Sequence, residues 1–312
     1  MKPNLGDSKV DKILSQFSIA YRNDNYIAEQ ILPVLKVKEK SGKFAKYAKD
    51  NLRVYSDATF RAPGTRANDI DYSVSQGTYL CAEHALEKRV PDEMVLNSDD
   101  PYDPKRDAVE FLMDLIWLNQ ENALATTMTS TSILTQNTTL SGTSQWDDYN
   151  NSDPFDDIAT GIETVRSATG KLPNSCVLSF DVMQKLKNHP DVREQVKYTN
   201  GGQLSDGAFE SFLKGFFRLE NVYVGTAIKN SADEGQSDSI GNVWNDDFVL
   251  FHKTSRPTMM APTFGLTMTD VPRKVDMYRE ESHVSDVVRV RYSYDQNIID
   301  PAMAYLIKSA TS

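Results

Sequence analysis

The sequence predicts an α+β protein. Three observations carry that prediction: a long amphipathic helical signal over 104–127, strongly alternating β-prone runs at 275–278 and 287–294, and helices mixed with strands between them without regular βαβ alternation.

The first thirty residues hold few apolar positions (Ile13, Leu14, Phe17, Ile19, Tyr21, Tyr26, Ile27), irregularly spaced before Ile31-Leu32-Pro33. They predict an arm with a short helix at most, tied down where it meets something else. From 36 to 66 the composition shifts. Nine basic residues (Lys36, Lys38, Lys40, Lys43, Lys46, Lys49, Arg53, Arg61, Arg66) stand against three acidic ones (Glu39, Asp50, Asp57), a net +6. Phe44, Tyr47, Leu52, Val54, Tyr55 and Phe60 interleave with the charges. Ala62-Pro63-Gly64-Thr65 reads as a turn, with Pro second and Gly third. A second β-prone run follows at 70–79. The pair predicts a long two-stranded excursion without a clean apolar face, a structure that is marginal alone in water and needs a surface to lie on.

The next block is acidic. Asp92, Glu93, Asp99, Asp100, Asp103, Asp107, Glu110 and Asp114 outweigh Lys105 and Arg106 for a net −6. It leads into the helix, where Val109, Leu112, Met113, Ile116, Trp117, Gln120 and Leu124 recur at three- and four-residue spacing. At 1.5 Å per residue this is a rod of roughly 36 Å. The carboxylates at its start suit the positive end of the helix dipole.

Residues 126–151 are rich in Ser, Thr and Asn, and predict short strands or a loop before a junction near Ser152. Asp153-Pro154 opens a second helix, with Phe155, Ile158, Ile162 and Val165 on one face and Gly170 as its stop. A short apolar strand at 175–180, helices from Asp181, from Pro190 and over 205–216, a strand at 221–228, an exposed polar loop at 230–245 and a buried strand at 248–252 follow. In the β-rich tail, Val288, Val290 and Tyr292 share one face while Arg289 and Arg291 take the other.

The chain has 312 residues, with 34 Lys and Arg against 44 Asp and Glu, hence a net charge of −10. With a pI near 5.0 it is no generally basic nucleic-acid binder. A mean hydropathy of −0.49 is low for a compact enzyme and suggests an extended shape. Cys81 and Cys176 lie far apart, and no apolar run near the N-terminus resembles a secretory signal, so a disulfide framework is not expected. The longest apolar stretches, at 111–118 and 302–307, are far short of the roughly 20 residues that span a bilayer. The expectation is a soluble, intracellular protein with no membrane partner.

Catalytic chemistry is sparse. His84, His189, His252 and His283 form no H-x-x-x-H pair and the cysteines no C-x-x-C, so no zinc site is legible and each histidine reads as structural or surface. Ser41-Gly42-Lys43 and Thr169-Gly170-Lys171 lack the earlier glycine of a phosphate loop. Asp147, Asp148, Asp153, Asp156 and Asp157 invite a calcium or acid/base reading, but an EF-hand starting at Asp148 needs Gly at 153 and Glu at 159, where Asp153 and Ala159 stand. Capping of the Pro154 helix accounts for Asp153, Asp156 and Asp157. No catalytic residue, cofactor or metal is assigned. The basic segment 36–66 is the anomaly. It suits nucleic acid, another copy of the chain through the acidic blocks at 92–114 and 142–163, or water alone.

The order of these features resembles the tailed-bacteriophage major capsid proteins of the Hong Kong 97 type across nearly the whole chain. The likeness is carried by Ile31-Leu32-Pro33-Val34, Ser41-Gly42-Lys43-Phe44, Arg61-Ala62-Pro63-Gly64, the run 178–190 with its Lys187-Asn188-His189-Pro190 ending, Pro262-Thr263-Phe264-Gly265, and 300–307. It implies an N-terminal arm (1–35), an extended hairpin loop (36–90), a peripheral domain with a long spine helix (91–152), an axial domain (153–250) and a return to the peripheral domain (251–312). It implies assembly as pentamers and hexamers into an icosahedral virion shell around double-stranded DNA, without sequence-specific binding, in the host cytoplasm. The loop of one subunit would lie across the next, bringing Lys43, Lys46, Lys49, Arg53, Arg61 and Arg66 to Asp99, Asp100, Asp103 and Asp107. With only about thirty residues before the loop, scaffolding by a separate protein is implied, beside a portal and a decoration protein as further partners. Some members also crosslink their subunits through Lys and Asn side chains; no such positions are assigned here. Two other readings stand beside this one: an encapsulin-like compartment shell, and, from a different class, a metal-dependent α+β enzyme using the carboxylates near Asp153.

Overall fold

The computed structural model describes residues 9–10, 26–47, 59–67, 69, 74–98, 103–200, 206–233, 235–258 and 262–312. From the N-terminus, β1 (Lys9–Val10) is followed by the one-turn helix α1 (Ala28–Ile31) and by β2 (Val34–Lys36). Strands β3 (Ser41–Tyr47) and β4 (Val74–Leu80) pair antiparallel, from Ser41 opposite Leu80 to Tyr47 opposite Val74. β5 (Ala82–Pro91) then runs into the short helix α2 (Asp92–Leu96).

The long helix α3 spans Pro104–Met128, one residue beyond the sequence expectation. Asp103 caps it, its Oδ1 accepting from the Lys105 amide at 3.0 Å, and Pro104 fills the first position, where no amide hydrogen is needed. The Ser/Thr-rich stretch after it contains β6 (Asn137–Thr139) and a 3₁₀ turn at Gly142–Ser144.

α4 (Pro154–Thr169) begins on Asp153, whose Oδ1 accepts from the Phe155 and Asp156 amides. It stops at Gly170, held at φ 71°, a conformation that costs glycine least. Asp157 does not cap. It accepts the indole N–H of buried Trp146 at 2.9 Å, and burial raises its carboxyl above the ordinary range. Next come β7 (Ser175–Ser179), α5 (Phe180–Asn188), α6 (Pro190–Asn200), α7 (Asp206–Phe217) and β8 (Asn221–Gly225). The polar stretch expected to be a loop folds back as a small hairpin of β9 (Ile228–Asn230) and β10 (Ile240–Asn242). β11 (Phe248–Phe251) follows, then β12 (Gly265–Glu280), β13 (Ser285–Ile298) and β14 (Ala304–Lys308).

Two five-stranded sheets organise these elements. In the first, the order is β1-β12-β13-β5, with β2 pairing parallel to β12. β12 is far longer than the alternation around 275–278 suggests. The ladder shifts register between Met268 and Val271 and again between Val271 and Lys274, and Pro272 sits within the second shift, where an irregular ladder tolerates a missing donor. The second sheet runs β6-β14-β11-β7-β8. Residues 251–312 thus divide, with β12 and β13 in one sheet and β14 in the other.

The second sheet is covered on both sides. Cys176 and Leu178 of β7 join a core with Trp146, Ile158, Phe209 and Phe248, while Val177 between them joins another with Leu124, Phe251, Phe264 and Leu306. Every residue of β7 is therefore buried, as in strands sandwiched between two layers. α3 links the sheets. Its first half (Val109, Leu112, Met113, Ile116, Trp117) packs on Val288, Val290 and Tyr292 of the first sheet, and its last turns (Leu124, Ala125, Met128) join the core of the second.

Candidate assembly interface

Among the described residues, the β3/β4 hairpin is anchored at its base. Phe44 and Tyr79 are buried with Val37, Cys81, Leu266, Met268 and Ile299. The sequence expectation of no apolar face therefore needs correction at this end. Small residues make the room: a Cβ on Gly42 would sit 2.7 Å from the Tyr79 hydroxyl, and one on Gly77 would meet the Phe44 ring. Two polar ties help, Leu80 N to Asp295 Oδ2 at 2.9 Å and Cys81 N to Lys40 O at 2.8 Å.

Lys43 is exposed opposite Thr78, and Lys46 lies opposite Ser75 with its Nζ 5.4 Å from the Phe44 ring centre. Lys49 and Arg53 lie outside the described residues, as do Asp99 and Asp100. Arg61 and Arg66 flank the turn read from Ala62-Pro63-Gly64-Thr65. Gly64 has φ 82° and the Thr65 amide donates to Ala62 O at 3.2 Å. Residues 59–67 are exposed throughout, and Phe60, next to Arg61, is 80% exposed. An apolar ring beside Arg61 thus stays largely uncovered by the described residues.

On the acidic side the subunit uses part of its own charge. Asp103 is engaged in capping α3, and Asp107 Oδ2 lies 3.6 Å from Lys88 Nζ, which also sits over the exposed Phe111 ring. Asp92 is gripped at two oxygens by Arg279, 2.5 and 2.7 Å away, which holds its carboxyl below the ordinary range. That clamp ties α2 to β12, and α2 presents Met94, Val95 and Leu96 to solvent. Sequence reasoning missed these three, because an apolar triplet in an acidic segment reads as core.

Inside, long-range polar contacts hold the chain's beginning in place. Glu121 of α3 is fully buried. Its Oε2 accepts from the Ile27 and Ala28 amides at 3.0 and 2.7 Å, capping α1 from 93 and 94 residues away, and its Oε1 accepts from Trp244 Nε1 at 2.5 Å. Burial outweighs these donors and pushes the carboxyl up to about 7. Beside it, Arg273 of β12 grips Glu29 at 2.6 and 2.7 Å and stacks over Trp117 and Tyr292. In the first sheet, Asp276 is buried between Arg289, 3.4 Å away, and Arg291. The arginines on this face of β13 thus serve the fold.

His189 and the two cysteines are built into the interior. The His189 ring is buried, its Nε2 3.1 Å from Ser152 Oγ, while its Nδ1 accepts from the Asp191 amide at 3.4 Å; burial lowers its pKa. Both cysteines are buried thiols, raised by burial. Among the described residues, no three His, Cys, Asp or Glu side chains converge as metal ligands, and no helix is long and apolar enough to cross a membrane.

Comparison with known proteins places this arrangement. Residues 133–261 match the family model described as phage major capsid protein E. The chain is 30% identical over 268 residues to a major capsid protein of Pseudomonas phage JBD67, covering 83% of this chain and 82% of the other. It is 27% identical over 313 residues to that of Burkholderia phage BcepMu, covering 96% and 95%. The crystal structure of a phage-related protein from Bordetella bronchiseptica RB50 superposes with a TM-score of 0.76 at 28% identity, over 97% and 98% of the chains. Likeness of fold alone extends to the mature capsid of bacteriophage PhiM1, with a TM-score of 0.58 at 12% identity over 99% and 92%. It also reaches the SrpI encapsulin of Synechococcus elongatus PCC 7942, with a TM-score of 0.52 at 11% identity over 91% and 87%.

Proposed function

Since the chain belongs to the tailed-phage major capsid proteins, shell-forming structural proteins of the virion with the Hong Kong 97-type fold, we propose that its copies close as pentamers and hexamers into an icosahedral shell in which the β3/β4 loop of each subunit lies on its neighbour. The observation that carries this reading is the hairpin itself. It buries two aromatic rings at its base and leaves Phe60, Arg61 and Arg66 largely uncovered by the described residues. Exposed pairs are individually worth little, roughly 0–1 kcal/mol. A charged loop repeated at every contact contributes chiefly by orienting one subunit on the next.

The surface proposed to receive it is the acidic block around Asp99, Asp100, Asp103 and Asp107, alongside the apolar residues of α2. Lys43, Lys46, Lys49 and Arg53 supply the remaining charge of the loop. The arm, loop, peripheral and axial divisions are proposed as in the family, with one change: β14 is assigned to the axial side, because it pairs with β11. Assembly in the host cytoplasm on a separate scaffolding protein, with a portal as the opening for double-stranded DNA, completes the proposal; a decoration protein is a further candidate partner. A shell of many identical copies needs something to set its curvature and something to break its symmetry for a genome to enter.

The test is expression with the scaffold and portal genes, followed by electron microscopy. Closed particles that take up DNA are expected. Particles filled with protein cargo and free of DNA would replace this reading with that of a cargo compartment.

A further inference from the structure

The small β9/β10 hairpin has two unlike faces. Ile228 pairs with Asn242 and Asn230 with Ile240, so both isoleucines stand on one side, diagonal to each other. They are 59% and 68% exposed. Lys229, which points to the other side, reaches back and donates from Nζ to Asn122 Oδ1 of α3 at 2.7 Å. Lys229 from one face and Asn242 from the other tie the hairpin to its subunit, and the isoleucine face still leaves much of both side chains open to solvent. A ribbon of three residues per strand is marginal in water by itself.

Two carboxylates border this face. Asp181 and Asp238 are exposed, and each accepts from a neutral asparagine of the hairpin, Asn242 at 2.6 Å and Asn230 at 2.8 Å, which leaves both charges uncompensated. Two such faces meeting like to like would set carboxylates against carboxylates. The partner surface must therefore be a different one, apolar and basic. At the end of α7, Phe216 is 49% exposed between Lys214 and Arg218, and Arg218 turns the chain away from the helix at φ 55°. The apolar residues of α2 are flanked by carboxylates, and Phe60 belongs to the loop already described.

We propose that the Ile228/Ile240 face of one copy packs on the Phe216 end of α7 in the next, with Asp181 and Asp238 facing Lys214 and Arg218. The inference rests on the shell reading and adds which surfaces meet within a ring. Because the two patches differ, the contact is head-to-tail, and repeating it by rotation closes a ring.

The experiment uses the full chain with its scaffold and portal, read by electron microscopy and sedimentation, with circular dichroism to confirm folding. Ile228→Asp with Ile240→Asp should lower the assembled fraction by about tenfold or more, since it buries new charge beside like charge. Asp181→Lys with Asp238→Lys should do the same, as should Lys214→Glu with Arg218→Glu. All four charge changes together should restore assembly to within about threefold of the unmodified chain. Normal shells from the isoleucine variant, or folded charge-swap chains whose combination does not recover, would overturn the pairing. An unmodified chain that forms no shells would instead remove the reading beneath it.

Discussion

The second sheet and the β3/β4 hairpin are opposite solutions within one chain. Around β7 and β11, both faces are covered by this subunit's own helices and loops, and alternate residues feed separate cores. In the hairpin, Phe44 and Tyr79 are buried among the described residues, and the described turn is bare. The difference teaches where each part finds its stability. The sheet completes itself within one subunit, whereas in the proposed shell the hairpin is finished by a neighbour. Damage to the first should unfold the subunit. Damage to the second should leave a folded subunit that does not assemble.

The largest effect is expected at the loop. Replacing Lys43, Lys46 and Lys49 by Glu should lower the yield of particles by about tenfold or more, with a melting temperature within about 2 °C of the unmodified subunit, because exposed charges contribute little to the monomer. Normal particles from this variant would break the comparison on the hairpin side. On the other side, Trp146→Ala should cost about 3–5 kcal/mol in denaturant unfolding. It empties a fully buried site against Phe248 and strips Asp157 of its indole donor. A soluble variant that melts like the parent would show that the sheet is not self-sufficient.

Between the regions lies Glu121, which ties α1 and Trp244 to the long helix. Its carboxyl is raised from the ordinary 4.5 to about 7 in the folded chain. Its contribution to stability is therefore fully present below about 4.5 and lost as pH rises through about 7, a swing on the order of 3 kcal/mol. Denaturant midpoints at pH 5 and pH 8 should differ more for the parent than for Glu121→Gln, which cannot titrate. Equal pH dependence would remove Glu121 from the account. The smallest effect is Asp153→Ala, expected to cost about 1 kcal/mol through loss of the α4 cap, readable as a shift in the same midpoints.

Much of this fold was legible because the signals are local. Asp103-Pro104 and Asp153-Pro154 announce helix starts, Gly170 a stop, and the recurrence from Val109 to Leu124 the buried stripe of α3. Where the reading fell short, distant residues decide. Pro272 and the bulges beside it hid the first half of β12, and a run rich in Asn, Asp, Ser and Gly hid the β9/β10 hairpin. Glu121, beside Asn122 in a helix, looks like any solvent-facing acid. Its role as a cap depends on amides more than ninety positions away. At the proposed interface, the basic segment stood out by its charge, exposed Met94, Leu96 and Ile228 look in sequence like residues destined for a core, and Ile240 fell in the stretch read as an exposed polar loop.

The most direct test is electron microscopy of the chain purified after expression with its scaffold and portal. Closed polyhedral shells built of rings, with the loop of each subunit lying over its neighbour, are the predicted result. A folded protein that stays monomeric at high concentration with those partners present would contradict the account.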